Sequence, residues 1–209
     1  KEEFPISFHL KKLAEISKNS KEYQGHGWGF AYLDSNEQWE IYKTLKPIWE
    51  DDIENFKELK TTLLIAHARS AFKNEGIEIN NNMPFESYDM ESVFIFNGEL
   101  RGVKIKEEGR IGAEKIFNFI LRFKDQGFLS AIKKALEIVK KRTKYIRAMN
   151  LIISDKEKIY LASNFNEDPD YFTIHYKISN ENEIVICSDP YFGEKDWKKI
   201  ENKSVLEFK

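Results

Sequence analysis

Three short segments of this 209-residue chain carry residue types that could do chemistry. Arg69 ends Ala66-His67-Ala68-Arg69, directly after an apolar run that starts at Leu63. A guanidinium at the mouth of such a strand is costly without a partner. Its planar fork can hold a substrate carboxylate through two hydrogen bonds, or it can pair with one of the chain's own acidic residues. The residue types alone leave both open. Asn97-Gly98 ends a second apolar run, Ser92 to Phe96. An Asn side-chain amide beside a glycine N–H can form an oxyanion hole. The same dipeptide is also the strongest short hairpin signal. The third segment is Gly25-His26-Gly27-Trp28-Gly29-Phe30. Its glycines could let backbone approach a ligand closely, or simply form a tight turn with a packed tryptophan. No helix follows it, so it is not a phosphate loop.

The four histidines (His9, His26, His67 and His175) are not at metal-ligand spacing, so neither a metal nor a cofactor is expected. Cys187 is the single cysteine and lies inside an apolar run. It reads as a core residue rather than a nucleophile, and no intrachain disulfide can form.

The elements that would hold these groups follow from periodicity. Apolar residues at Ile6, Leu10, Leu13 and Ala14 predict a helix over 6–17. Phe30–Leu33 and Trp39–Thr44 predict a hairpin turned by Asp34-Ser35-Asn36. Asp51 to Leu59 reads as a short acidic-started helix. Leu63–Ala68 reads as a strand buried on both faces, and Ser92–Phe96 as a strand stopped by Asn97-Gly98. Asn80 to Pro84 is loop. Helices are expected over 113–123 and 129–140, then strands at 150–154, 159–162, 171–178, 184–187 and 205–208. Strands, two helices, then more strands indicate an α+β domain. No linker or repeat divides the chain, so one domain over 1–209 is expected.

Composition bounds the function. Hydrophobic residues make up 41% and aromatics 14%, enough for a real core. Charged residues make up 33%, yet the net charge is −2, so no basic excess marks a nucleic-acid binder. No apolar run is long enough to span a membrane, and the first residues are not a signal peptide. A cytoplasmic protein is expected, with no membrane or nucleic-acid partner.

In their order along the chain, the motifs resemble those of class II glutamine amidotransferases, of the small stand-alone type. The matching stretches are Gly27-Trp28-Gly29, His67-Ala68-Arg69, Asn82-Met83-Pro84-Phe85, Asn97-Gly98-Glu99-Leu100 and Gly109 to Glu114. Cys187-Ser188-Asp189-Pro190 and Trp197 match the family's closing segment. The resemblance implies the N-terminal-nucleophile hydrolase fold, a four-layer α-β-β-α sandwich of two antiparallel sheets. It implies that ammonia is released from glutamine or a γ-glutamyl compound through a cysteinyl thioester. Arg69 would bind the substrate's α-carboxylate, and Asn97 and Gly98 would form the oxyanion hole. Gly27, Trp28 and His67 would shape the pocket, and Gly112 would stand where the family's ammonium-binding Asp stands. Ammonia would be released or passed to a separate acceptor subunit, and a homodimer is compatible with the pattern.

The sequence departs from the family in three ways. The nucleophilic cysteine would have to lie upstream of Lys1. Gly112 carries no carboxylate. Met83 and Phe96 stand where relatives have histidine. These departures keep a second reading in play, a non-catalytic binding or regulatory subunit on the same fold. The catalytic reading requires the guanidinium and the Asn-Gly pair to converge on one cavity.

Overall fold

A computed structural model describes residues 2–180 and 183–209. The expected position of the nucleophile, upstream of Lys1, lies outside the described residues. Strands and helices are numbered along the chain. Two compact units emerge, each assembled from two stretches of chain: residues 1–84 with 174–199, and residues 85–173 with 200–209.

In the first unit, β1 (Phe4–Pro5) pairs with β4 (Lys60–Thr61) and leads into helix α1 (Ile6–Lys18). Pro5 sits just before the first helical residue, where its missing N–H leaves no bond unmade. Ile6, Leu10, Ala14 and Ser17 are the buried stripe of α1, spaced to fall on one face. That stripe packs on Trp28, Phe30, Ile48, Ile53 and Ala68. Strands β2 (Trp28–Leu33), β3 (Trp39–Thr44) and β5 (Leu64–Ala68) form a sheet in the order β3-β2-β5. The β2–β3 turn is the expected one: Asp34 Oδ1 accepts from the Asn36 and Gln38 amides, both at 2.8 Å. A second sheet, in the order β11-β10-β12, is built from β10 (His175–Asn180), β11 (Glu183–Cys187) and β12 (Lys198–Lys199).

Two expectations need correction here. Residues 51–59 do not form an α-helix; two 3-10 turns, Ile48–Glu50 and Ile53–Phe56, flank an extended Asp51. The Asp51 carboxylate explains this, because Oδ2 accepts from Trp28 Nε1 at 3.0 Å and Tyr42 Oη at 2.8 Å. These two bonds hold Asp51 outside helical geometry. Strand β5 is not buried on both faces: Ile65 and Ala68 are buried, while Leu64, Ala66 and His67 are half-buried. Among the described residues it is an edge strand whose one ladder partner is β2.

In the second unit, β6 (Phe85–Glu86), β7 (Val93–Arg101), β8 (Tyr145–Ser154), β9 (Ile159–Ser163) and β13 (Ser204–Phe208) form an antiparallel sheet in the order β13-β9-β8-β7-β6. Helices α2 (Gly112–Leu121) and α3 (Phe128–Lys141) follow β7. Their buried stripes are Ile116, Phe117 and Ile120, and Ile132, Ala135, Leu136 and Val139. Phe117 stacks on Phe94 of β7 at 4.8 Å.

Strand β7 does not stop at Asn97-Gly98 but runs through it to Arg101. The long partner β8 supplies ladder positions opposite every residue, which overrides the local turn signal. The strand expected at 171–178 begins only at His175. Before it lies one helical turn, α4 (Pro169–Phe172), started by a left-handed Asp168 and Pro169.

Candidate active site

Four of the residues singled out from sequence lie together in the first unit. Gly27 and Trp28 enter β2, while His67 and Arg69 lie at the end of β5. The ladder places Trp28 opposite Ala68 and Gly29 opposite His67. Two further backbone bonds extend this pairing: Arg69 N donates to Gly27 O at 2.9 Å, and His26 N donates to Arg69 O at 3.1 Å.

Arg69 is only 6% exposed. Its Nη1 donates to Gly76 O at 2.9 Å and, at a long 3.5 Å, to Asn82 Oδ1. Among the described residues it forms no ion pair. Burial lowers its pKa, and the charge of Glu78 reverses only part of that. A buried guanidinium held by neutral oxygens alone retains a full positive charge to offer a ligand.

The surroundings of Arg69 fix it in place. Gly76 O accepts from Arg69 and also from Asn81 Nδ2 at 3.0 Å. Lys73, Asn74 and Gly76 all have positive φ, near 53°, 58° and 60°, so the loop doubles back sharply. Asn82 is fully buried and donates through Nδ2 to Thr44 O at 2.7 Å. Gly27 has φ of 103°, and a Cβ there would lie 2.1 Å from Asn82 Nδ2. Glycine is therefore required at this position on both counts. From sequence, Asn81 reads only as loop, Asn82 as loop and as part of the Asn82-Met83-Pro84-Phe85 match, and Gly76 is not singled out. The run of three asparagines was the available signal, since buried asparagines must be hydrogen-bonded to something.

His26 joins the same network. Its Nδ1 accepts from the Ala71 amide at 2.9 Å, so the ring proton sits on Nε2. Burial, and then the charge of Arg69, push its pKa below the usual histidine value. Trp28 has another role than a ligand contact by its ring. The side chain is fully buried, stacked on Phe30 at 5.5 Å and bonded to Asp51.

Asn97, Gly98 and Gly112 lie in the second unit. On β7, Asn97 is opposite Asn150 and Gly98 is opposite Met149. A Cβ on Gly98 would lie 2.2 Å from Ala148 O. Phe94 and Phe96 share one face of β7, so Asn97 projects from the other. The buried Asn150 amide is satisfied at both ends, donating to Phe172 O at 2.7 Å and accepting from Asn164 N at 2.9 Å. The half-buried Asn97 amide makes no hydrogen bond among the described residues. The Asn-Gly pair is therefore not a hairpin turn, and its amide donor is free. Gly112 is the exposed first residue of α2, and a Cβ there would meet nothing within 4 Å.

Cys187 is half-buried on β11, and desolvation of the thiol raises its pKa. A thiol of that kind is a poor nucleophile. Among the described residues, no group of three or more His, Cys, Asp or Glu side chains could hold a metal ion. Among the described residues, no helix is long and apolar enough to cross a membrane.

Comparison with known proteins matches this arrangement to one family. The sequence profile of the glutamine amidotransferases class-II matches residues 2–167. No curated protein matches the sequence. Among solved structures, a glutamine aminotransferase class-II domain protein from Silicibacter pomeroyi is 17% identical with a TM-score of 0.65, covering 86% of each chain. A predicted glutamine amidotransferase from Pseudomonas aeruginosa is 15% identical with a TM-score of 0.59, covering 87% of this chain and 84% of that one. Glutamine phosphoribosylpyrophosphate amidotransferase from B. subtilis, in complex with ADP and GMP, is 16% identical with a TM-score of 0.59. This chain corresponds to 39% of that longer protein. The antiparallel sheets with α2 and α3 are thus those of N-terminal-nucleophile amidotransferase structures, and with about four-fifths of its length matched the chain belongs to the class-II glutamine amidotransferases.

Proposed function

We propose that this domain hydrolyses the side-chain amide of glutamine, releasing ammonia, or that of a γ-glutamyl compound, releasing its amine. The observation that carries the reading is Arg69: a buried guanidinium with no carboxylate partner among the described residues fits an amino-acid carboxylate.

The chemistry needs a thiol. Cys187 does not suit the task, so the nucleophile in this reading is a cysteine N-terminal to Lys1, with its own α-amine as base. The sulfur attacks the amide carbon, and the oxygen gains negative charge. Asn97 Nδ2 and the Gly98 N–H stabilise that oxyanion. The C–N bond breaks, and the nitrogen takes a proton and leaves, as ammonia from glutamine or as the amine of a γ-glutamyl compound. Water then adds to the thioester, the C–S bond breaks, and glutamate departs with the thiol restored. The ammonia is released or handed to a separate acceptor subunit.

The test uses protein extending upstream of Lys1. Arg69→Ala is expected to raise KM for glutamine by about ten- to a hundredfold, the effect of losing one charge-assisted contact. Ammonia release unaffected by that change removes Arg69 from the site. A glutamine analogue with an electrophilic side chain is expected to label a cysteine upstream of Lys1; label on Cys187 overturns the mechanism.

Gly112 favours a second reading, a binding subunit without turnover. The family's carboxylate for the α-ammonium is missing there, although space for a side chain exists. Saturable glutamine binding with no ammonia produced would decide for it.

A further inference from the structure

The second unit carries a concentration of positive charge that amide hydrolysis does not use. A cavity of about 330 Å³ is lined by Gly102, Lys104, Lys141, Arg142, Thr143 and Lys144. Four of the six are cations, and none is acidic. The chain as a whole has 33 Lys and Arg against 35 Asp and Glu, so carboxylates are plentiful elsewhere. Lys141 pairs with Glu137 at 2.5 Å. Lys104, Arg142 and Lys144 form no ion pair among the described residues.

The cavity is assembled from three places in the chain. Lys141 ends α3 and Arg142 caps it. The segment after β7 is tied to that cap, because Lys104 N donates to Arg142 O at 2.9 Å. Lys144 arrives just before β8. Gly102 has φ of 66°, and a Cβ there would lie 2.9 Å from Cγ and Cδ of Lys144. The lysine stem therefore lies across the glycine. A neighbouring cavity of about 280 Å³ shares Arg142 and adds Lys106 and Arg122.

The end of a helix carries partial negative charge, and Lys140 and Lys141 in the last turn of α3 answer it. Lys104 and Lys144 are not on the helix and exceed that need. The four cations are exposed and, among the described residues, share a single counter-ion, Glu137; their mutual repulsion, screened by solvent but not cancelled, is relieved by an anion with several oxygens. Phosphates suit both lysine ammonium groups and the arginine fork. The volume is at the lower end of small-ligand sites.

We propose that the Lys104–Lys141–Arg142–Lys144 cavity binds a small ligand bearing two or more phosphate groups. Its position and charge do not depend on the amidohydrolase reading, and the test does not use amide turnover. Calorimetric titration with inorganic pyrophosphate, and separately with ADP, is expected to show saturable one-site binding that weakens as salt rises. The double change Lys104→Ala/Lys144→Ala is expected to reduce affinity by about tenfold or more, with an unchanged circular dichroism spectrum. Equal affinities for the two probes mean that phosphate alone is read; tighter ADP means that a nucleoside is read as well. Absence of saturable binding by both, or binding indifferent to the double change, overturns the proposal. So does a single-stranded RNA oligomer that binds where pyrophosphate does not.

Discussion

Arg69 can be judged by what its removal does to stability as well as to activity. A guanidinium buried to serve the fold should destabilise the protein strongly when lost, because its partner is left with an uncompensated charge. Among the described residues the Arg69 guanidinium bonds only Gly76 O and Asn82 Oδ1, and Asn81 still satisfies Gly76 O without it. Arg69→Met is therefore expected to change unfolding free energy by no more than about 1 kcal/mol in urea, the lost bonds being offset by the desolvation no longer incurred. A loss above about 3 kcal/mol would assign Arg69 to the fold instead. At this scale the sequence was partly legible. The position of Arg69 after an apolar strand marked it, whereas its neutral partners Gly76 and Asn82 were hidden in a polar loop. Trp28 was marked by its glycine neighbours, yet its ring serves the core through Asp51, a partner 23 residues away.

Strand β7 shows how an element escapes local reading. Asn97-Gly98 is turn punctuation in sequence, but nine residues of β8 pair alongside and carry the strand on to Arg101. The glycine is there because Ala148 O leaves no space for a methyl group. Gly98→Ala is expected to cost about 2 kcal/mol or more, through overpacking and loss of β7–β8 register. A urea midpoint equal to that of the parent would mean that the two strands separate at no cost, contrary to this account. Helices α1, α2 and α3 were legible within one or two residues because their apolar spacing is local. The 48–56 segment was not, because two long-range hydrogen bonds to one carboxylate decide its backbone.

At the scale of the whole molecule, sequence order conceals how the chain is apportioned. Residues 174–199 join the first unit and 200–209 the second, pairings that no local pattern announces. The thiol inventory is simpler, because Cys187 is the only cysteine between residues 1 and 209. With its pKa raised by burial, it is expected to react slowly with an aromatic disulfide reagent at pH 8 and rapidly in denaturant. Fast native labelling of protein limited to these residues would contradict that. The glycines carry a lesson for anyone sorting relatives into active and inactive members. Positions 27 and 98 are closed to other residues by neighbouring atoms, whether or not an amide is ever cleaved. Their persistence in a lineage is evidence of shared architecture only. Positions 69 and 112 are under no such compulsion, so drift at those two sites is the record from which loss or gain of chemistry can be dated.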